Sequence, residues 1–298
     1  MRASSLWAAA MLTFSAPAVA QPAAPAAEPP ETPSIPGVPS RSAFRAGLTA
    51  VRPIAGLDTV FIEEMTWMEV RDALRSGTKT VVIGSGGVEA NGPYLATGKH
   101  NYVLRATTEA IARKLGHTLV APIIPFVPEG KIDPPSGMMN YSGSISVTEE
   151  TFQRLVTDIA ASMKTHGFEH IILIADSGGN VDGMKAVAKA LSARWGGKPT
   201  IHYIAEYYDY PGVRKWIESQ GIHETAEGIH DEYSIASVMM LVDPMYVRMP
   251  QRVAAGKFSI NGVSLAPLDT TLAMARRIVD YRATVTVDAY HKLIGETK

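Results

Sequence analysis

Two apolar, β-branched runs, each ending in a polar, glycine-rich turn, leave this chain few ways to fold. The first is Thr80-Val81-Val82-Ile83-Gly84-Ser85, followed by Val88-Glu89-Ala90-Asn91-Gly92-Pro93-Tyr94-Leu95 and then Gly98-Lys99-His100. The second is Ile171-Ile172-Leu173-Ile174-Ala175, followed by Asp176-Ser177-Gly178-Gly179-Asn180. Short continuous apolar runs bounded by turn residues read as fully buried strands. Buried strands of this kind belong to parallel sheets covered by helices on both faces. In such sheets ligands gather beyond the carboxyl ends of the strands, where the polar residues of both turns lie. Glu, His, Asp, Ser and Asn on two strand ends are therefore expected to form one site.

The rest of the chain alternates strand and helix patterns around these two runs. A helix is predicted from Trp67 to Ser76, capped by Thr66 and stopped by Gly77. His100 to Leu115 has helical spacing and closes at Gly116; Thr118 to Phe126 reads as a strand. Pro128 to Ser142 is a long irregular loop of the kind that shapes a pocket. Ser144 to Val147 reads as a short strand, and Thr148 caps a helix to His166 with Glu149 and Glu150 in its first turn. Val181 to Trp195 is the next helix, and Thr200 to Ala205 a further strand. Helices over Tyr210 to Gln220, Ile229 to Val242 and Leu268 to Leu293 complete the chain. The alternation predicts an α/β protein: a single three-layer α/β/α domain with a mostly parallel sheet, over residues 51–298.

The first fifty residues do not fit that pattern. Arg2, an apolar stretch from Leu6 to Phe14 and Ala18-Val19-Ala20 before Gln21 make a cleavable signal peptide over residues 1–20. The apolar stretch is too short to span a bilayer, so no stable membrane anchor is expected. Residues 21–50 are Pro/Ala-rich and read as a disordered linker. The expected location is the periplasm of a Gram-negative host, or outside the cell. The chain has no cysteine, which removes thiolate metal sites and a Cys nucleophile. A net charge of −1 gives no basic footprint, so nucleic acid is not an expected partner.

Read as chemistry, Glu89 at a strand end can bind metal, act as a base or cap a helix. His100, at a helix start, can be a ligand or a base. Asp176-Ser177-Gly178-Gly179 is not a trypsin-like nucleophile motif, because it lies in a βα turn. It is not a G-x-S-x-G elbow either, because Ala175 stands at the first Gly. It reads instead as a turn whose N–H groups can hold an oxyanion or phosphate. In His230-Asp231-Glu232 a carboxylate beside the imidazole can orient it for proton transfer. Each of these has a bland alternative, a helix cap, an exposed histidine or a solvated turn.

In order along the chain, these segments resemble the creatininase (creatinine amidohydrolase) family. Glu89-Ala90-Asn91-Gly92-Pro93-Tyr94-Leu95-Ala96 follows the frame of the family's Glu-x-His-Gly-Pro-His-Leu-Pro, with His100 where an Asp is expected. Glu64-Met65-Thr66-Trp67, Ser142-Gly143-Ser144-Ile145-Ser146, Ala175 to Asn180 and His230 to Ser237 resemble further family segments in the same order. The resemblance implies hydrolysis of a cyclic amide or related C–N bond of a small molecule, at two bridged zinc or manganese ions. Of the family's ligands only Glu89 is kept: Asn91 stands for the first His, His100 for the Asp, Ser177 for the second His and Ile235 for the last Glu. The usual dinuclear site is therefore not supported. The expectation is a divergent hydrolase with at most one divalent metal, zinc or manganese, on Glu89 and His100. Glu89, His100 and His230 are its catalytic candidates. Asn91, Asp176, Ser177 and Asn180 are its substrate-binding candidates. The competing expectation is a non-catalytic relative that binds a small molecule or a partner. The family habit also implies a homo-oligomer.

Overall fold

A computed structural model describes residues 47–295; the signal peptide expected over residues 1–20 and nearly all of the linker expected over residues 21–50 lie outside the described residues. Residues 52–295 belong to one compact unit. Its helices and strands in chain order are α1 (Trp67–Arg75), β1 (Thr80–Ser85), α2 (Lys99–Leu115), β2 (Thr118–Val120), α3 (Glu149–His166), β3 (His170–Ala175) and α4 (Val181–Trp195). There follow β4 (Thr200–Tyr203), α5 (Tyr210–Ser219), α6 (Tyr233–Val242), α7 (Met249–Ala254), β5 (Ser259–Ile260), β6 (Val263–Ser264) and α8 (Leu268–Ile294).

β1 to β4 form a parallel sheet in the order β2-β1-β3-β4, and β5 pairs with β6 in a small antiparallel hairpin. β1 and β3 are central and pair along their full length, Thr80 opposite His170 to Ser85 opposite Ala175. Side chains alternate across a strand, so the two faces separate cleanly. Val81, Ile83, Ile171 and Leu173 pack with Phe152 and Val156 of α3 and Met184 and Val187 of α4. Val82, Ile172 and Ile174 pack on the other face with Leu104 and Ile111 of α2 and Ala283 and Val287 of α8. Beyond that layer α6 packs onto α2 and α8 through Ala236, Met239, Val103 and Ile278. This is the expected α/β/α arrangement with one further helical layer.

From β1 the chain crosses to β2 through α2 on one face; from β3 it crosses to β4 through α4 on the other. The strand order therefore reverses between β1 and β3, and a crevice opens at their carboxyl ends. Both polar turns emerge there.

Four boundaries differ from the sequence reading. The second strand stops at Val120 instead of Phe126, because Pro122 and Pro125 lack the N–H that a ladder needs. Residues 144–147 make only isolated bridges, at Ile145 and Ser146. β4 ends at Tyr203, and a 3₁₀ turn begins at Ala205. The helix expected from Ile229 begins at Tyr233, and the residues before it form an irregular loop that carries His230.

A candidate active site at the strand ends

Local structure places each group. β1 runs into a loop clamped by Asn101, whose amide accepts from Gly87 N (3.1 Å) and donates to Gly87 O (3.0 Å). Gly92 N–H donates to Ile229 O at 2.8 Å, and a Cβ at Gly92 would overlap the Asp231 carboxylate. Glycine is required here because two backbones meet, and that meeting brings His230 over Glu89. His230 has φ +55°, a left-handed conformation uncommon outside glycine, and such strain concentrates at functional sites.

Glu89 is buried, and its Oε1 is the hub of the site. It lies 3.2 Å from Lys99 Nζ, 2.8 Å from His100 Nε2 and 3.1 Å from His230 Nδ1. His100 Nδ1 lies 2.8 Å from Asp176 Oδ2, so the imidazole bridges two carboxylates. Asp176 is fully buried. Its Oδ1 accepts from Arg282 Nη2 at 2.7 Å and from Tyr207 at 3.1 Å, and its Oδ2 accepts from Tyr210 at 3.2 Å. The chain thus runs Arg282–Asp176–His100–Glu89–His230 from the interior to a cavity of about 540 Å³. Glu89, Lys99, His100, Glu129, Ser177, Tyr208 and His230 are among the residues that line it.

The charges follow from these contacts. Burial alone would raise the Glu89 and Asp176 carboxyls, but His100, His230 and Lys99 hold Glu89 well below the usual range. Arg282 and His100 do the same for Asp176. Burial opposes a charge on His100, yet Asp176 and Glu89 raise its pKa. With an anionic acceptor at each nitrogen, His100 is an imidazolium. Burial lowers the Lys99 ammonium, and the Glu89 charge resists that.

Glu129 is the opposite case. It is buried beside Glu89, its Oε1 meets no donor, and it packs where only a glycine at position 87 leaves room. Burial first, then the Glu89 charge, push its carboxyl up to about 8. It is a neutral acid at pH 7, and two carboxyls driven apart in this way mark an acid–base site. Between its ordinary value of 4.5 and about 8 the unfolded chain holds fewer protons here, so stability falls as pH rises through that window. Glu129→Gln is expected to gain about 1–3 kcal/mol at pH 9 and almost nothing at pH 4, read by urea unfolding at the two pH values. An equal effect at both would show that Glu129 is ionised throughout.

The structure thus brings Glu89, His100, Asp176, Ser177 and His230 together. It gives three of the substrate-binding candidates other work. Asn91 donates to Glu89 O (3.0 Å) and Ala96 O (3.2 Å) and shapes its own loop. Asn180, fully buried, donates to Gly86 O at 2.7 Å and ties the ends of β1 and β3 together. Asp176 faces His100 and Arg282, not the cavity. Ser177 alone of that group lines it.

The donor set does not fit the expected metal. Both His100 nitrogens are taken by carboxylates, so no lone pair is offered, and the shared Glu89 oxygen already carries an ammonium and two imidazoles. The orphaned Glu129 oxygen is satisfied by a proton, which needs no metal. Sequence reasoning missed Lys99, Glu129, Tyr207, Tyr210 and Arg282. For Lys99 a signal existed. Lys99 and His100 open α2 without an acidic residue or a side-chain cap. Cations there oppose the helix dipole, and a broken local rule points to function. For Arg282, on the last helix, there was none.

A family model for creatinine amidohydrolase (Creatininase) matches residues 63–283. Among solved structures, a creatininase described as Mn is 17% identical with TM-score 0.54, covering 80% of this chain and 98% of its own. A mutant creatininase of Zn-Zn type is 18% identical with TM-score 0.52, at the same coverage. A putative creatinine amidohydrolase from Bacteroides fragilis NCTC 9343 is 15% identical with TM-score 0.54, covering 78% of this chain and 97% of its own. At such identities the likeness shows a shared fold. No curated protein matches the chain.

Proposed function

The chain belongs to the creatininase family, and from that premise we propose that its pocket hydrolyses a C–N bond in a small cyclic amide. The observation that carries the reading is the contact between Glu89 and His230 on the cavity wall, 3.1 Å at Nδ1. An ionised carboxylate accepts the Nδ1 proton, which leaves the lone pair on Nε2. Nε2 has no protein partner among the described residues, and the ring is 39% exposed. His230 is then the general base that takes a proton from water as it attacks the carbonyl. As imidazolium it returns that proton to the nitrogen as the C–N bond breaks. Glu89 orients the ring and stabilises its charged form, as a carboxylate does in a Ser-His-Asp triad. Ser177 and Tyr208 line the same cavity and contact the substrate. Asp176 does not reach the cavity; it holds His100, which lines the wall and keeps Glu89 in place.

Ring opening by the purified mature protein, followed by mass spectrometry over a panel of cyclic amides that includes creatinine, tests the reading. Turnover of at least one member is expected. No turnover, with binding retained by the His230→Asn variant, would return the pocket to a non-catalytic binding role. The leader reading places the mature chain in the periplasm, beginning at Gln21. Intact mass of the exported protein checks this, and an uncleaved chain in the cytosol would defeat it. A homo-oligomer is also proposed, supported by exposed Phe126, Ile132, Tyr141 and Ile145; light scattering reads its mass, and a monomer at micromolar concentration would end it.

A further inference from the structure

The relatives described as Mn and Zn-Zn forms carry divalent ions; here the corresponding charge is already supplied by the chain. Glu89 and Asp176 are met by Lys99, His100 and Arg282 before any ion is added. The Lys99 side chain is only 3% exposed, and it lines the cavity with Nζ 3.2 Å from Glu89 Oε1. A zinc ion would need that carboxylate at about 2.0–2.2 Å. It would then stand against an ammonium and an imidazolium held on the same oxygen. An ammonium carries three donors, and Glu89 uses one, so others are free to meet a carbonyl oxygen.

We propose that Lys99 is the resident cation of this site, replacing a divalent metal in holding and polarising the substrate carbonyl. The catalytic half of this inference rests on the hydrolase reading above; the claim that the chain excludes metal does not. In the reaction the carbonyl oxygen gains negative charge as water adds, and the Lys99 ammonium, itself buried on the cavity wall, stabilises it without changing its own protonation. Removing the amine should have the reverse effect on metal. With Lys99 gone, Glu89 is left with two imidazoles, and a zinc ion can displace the His100 proton.

Two arms separate the inferences. In the first, chelator-dialysed protein is titrated calorimetrically with zinc chloride and manganese chloride. Lys99→Ala is expected to bind zinc at least about 100-fold more tightly than the unaltered chain, and Lys99→Ala with Glu89→Gln to lose that gain. Unaltered protein that holds a stoichiometric metal, or binds zinc as tightly as Lys99→Ala, overturns the inference. In the second arm the dialysed protein is assayed on the substrate found by the panel. Activity should persist in chelator, fall at least about 100-fold in Lys99→Met and be partly kept in Lys99→Arg, which retains the charge. Loss of activity in chelator, restored by added metal, also overturns it. If zinc binding behaves as expected and no cyclic amide is turned over, the resident cation stands and the hydrolase reading falls. Circular dichroism of each variant confirms folding, and Lys99→Arg keeps the test decisive if Lys99→Met unfolds.

Discussion

Replacing Asp176 with asparagine is expected to lower the unfolding free energy by about 3–5 kcal/mol. Asp176 has no solvent exposure and, among the described residues, is the only carboxylate on the buried Arg282 guanidinium. It also holds His100 and accepts from Tyr207 and Tyr210. An amide of the same shape leaves the buried Arg282 guanidinium without its counter-charge and His100 with Glu89 alone. The pH dependence has a definite sign. The Asp176 carboxyl is depressed, so its contribution is present above its unfolded value and is lost as pH falls through the folded one. His100 is raised, so its contribution is full below its unfolded value and is lost as pH rises through the folded one. Stability of the unaltered chain should therefore fall on both the acid and the alkaline side, and Asp176→Asn should flatten the acid limb. Urea unfolding across pH measures both. A loss below about 1 kcal/mol would mean that Arg282 and His100 find other partners.

His230→Asn is expected to lower kcat/KM by about 10²–10⁴ while leaving thermal stability almost unchanged. Asparagine tolerates the left-handed backbone that His230 adopts, so the fold of the loop survives. The ring is partly exposed and supports no core packing, which separates catalysis from folding. Glu89 differs. Glu89→Ala leaves no apolar cavity, but Glu89 balances the buried Lys99 and shares His100 with Asp176, so its loss strands the Lys99 ammonium and weakens the hold on His100. Glu89→Gln should therefore lose both activity and stability, whereas His230→Asn loses activity alone. Steady-state kinetics and a melting curve on the same preparations read the contrast. Full activity in His230→Asn would remove the acid–base assignment.

How much was legible depended on distance along the chain. Apolar runs with their turns, Thr66 and Thr148 as caps and Gly116 as a stop are local signals, and each stands where the pattern put it. The same locality explains the misses. Asn91 and Asn180 look like ligand-binding amides because amides at strand ends often are. Whether an amide faces a cavity or a neighbouring carbonyl is settled by a backbone that the local pattern does not contain.

By itself the sequence determined that the chain is a mostly parallel sheet covered by helices, because apolar periodicity and turn chemistry act over a few residues; the crevice between β1 and β3 came from the strand order. The sequence also determined which polar groups stand at the strand ends. Only the tertiary structure decided their chemistry. Glu89 is ionised and Glu129 is not because one is surrounded by donors and the other by a buried negative charge. His100 is a cation, not a ligand, because Asp176 arrives from β3 and Arg282, 106 residues further on, anchors Asp176. The physical reason is that charge states depend on burial and on partners within a few ångströms, and folding chooses those partners from distant parts of the chain.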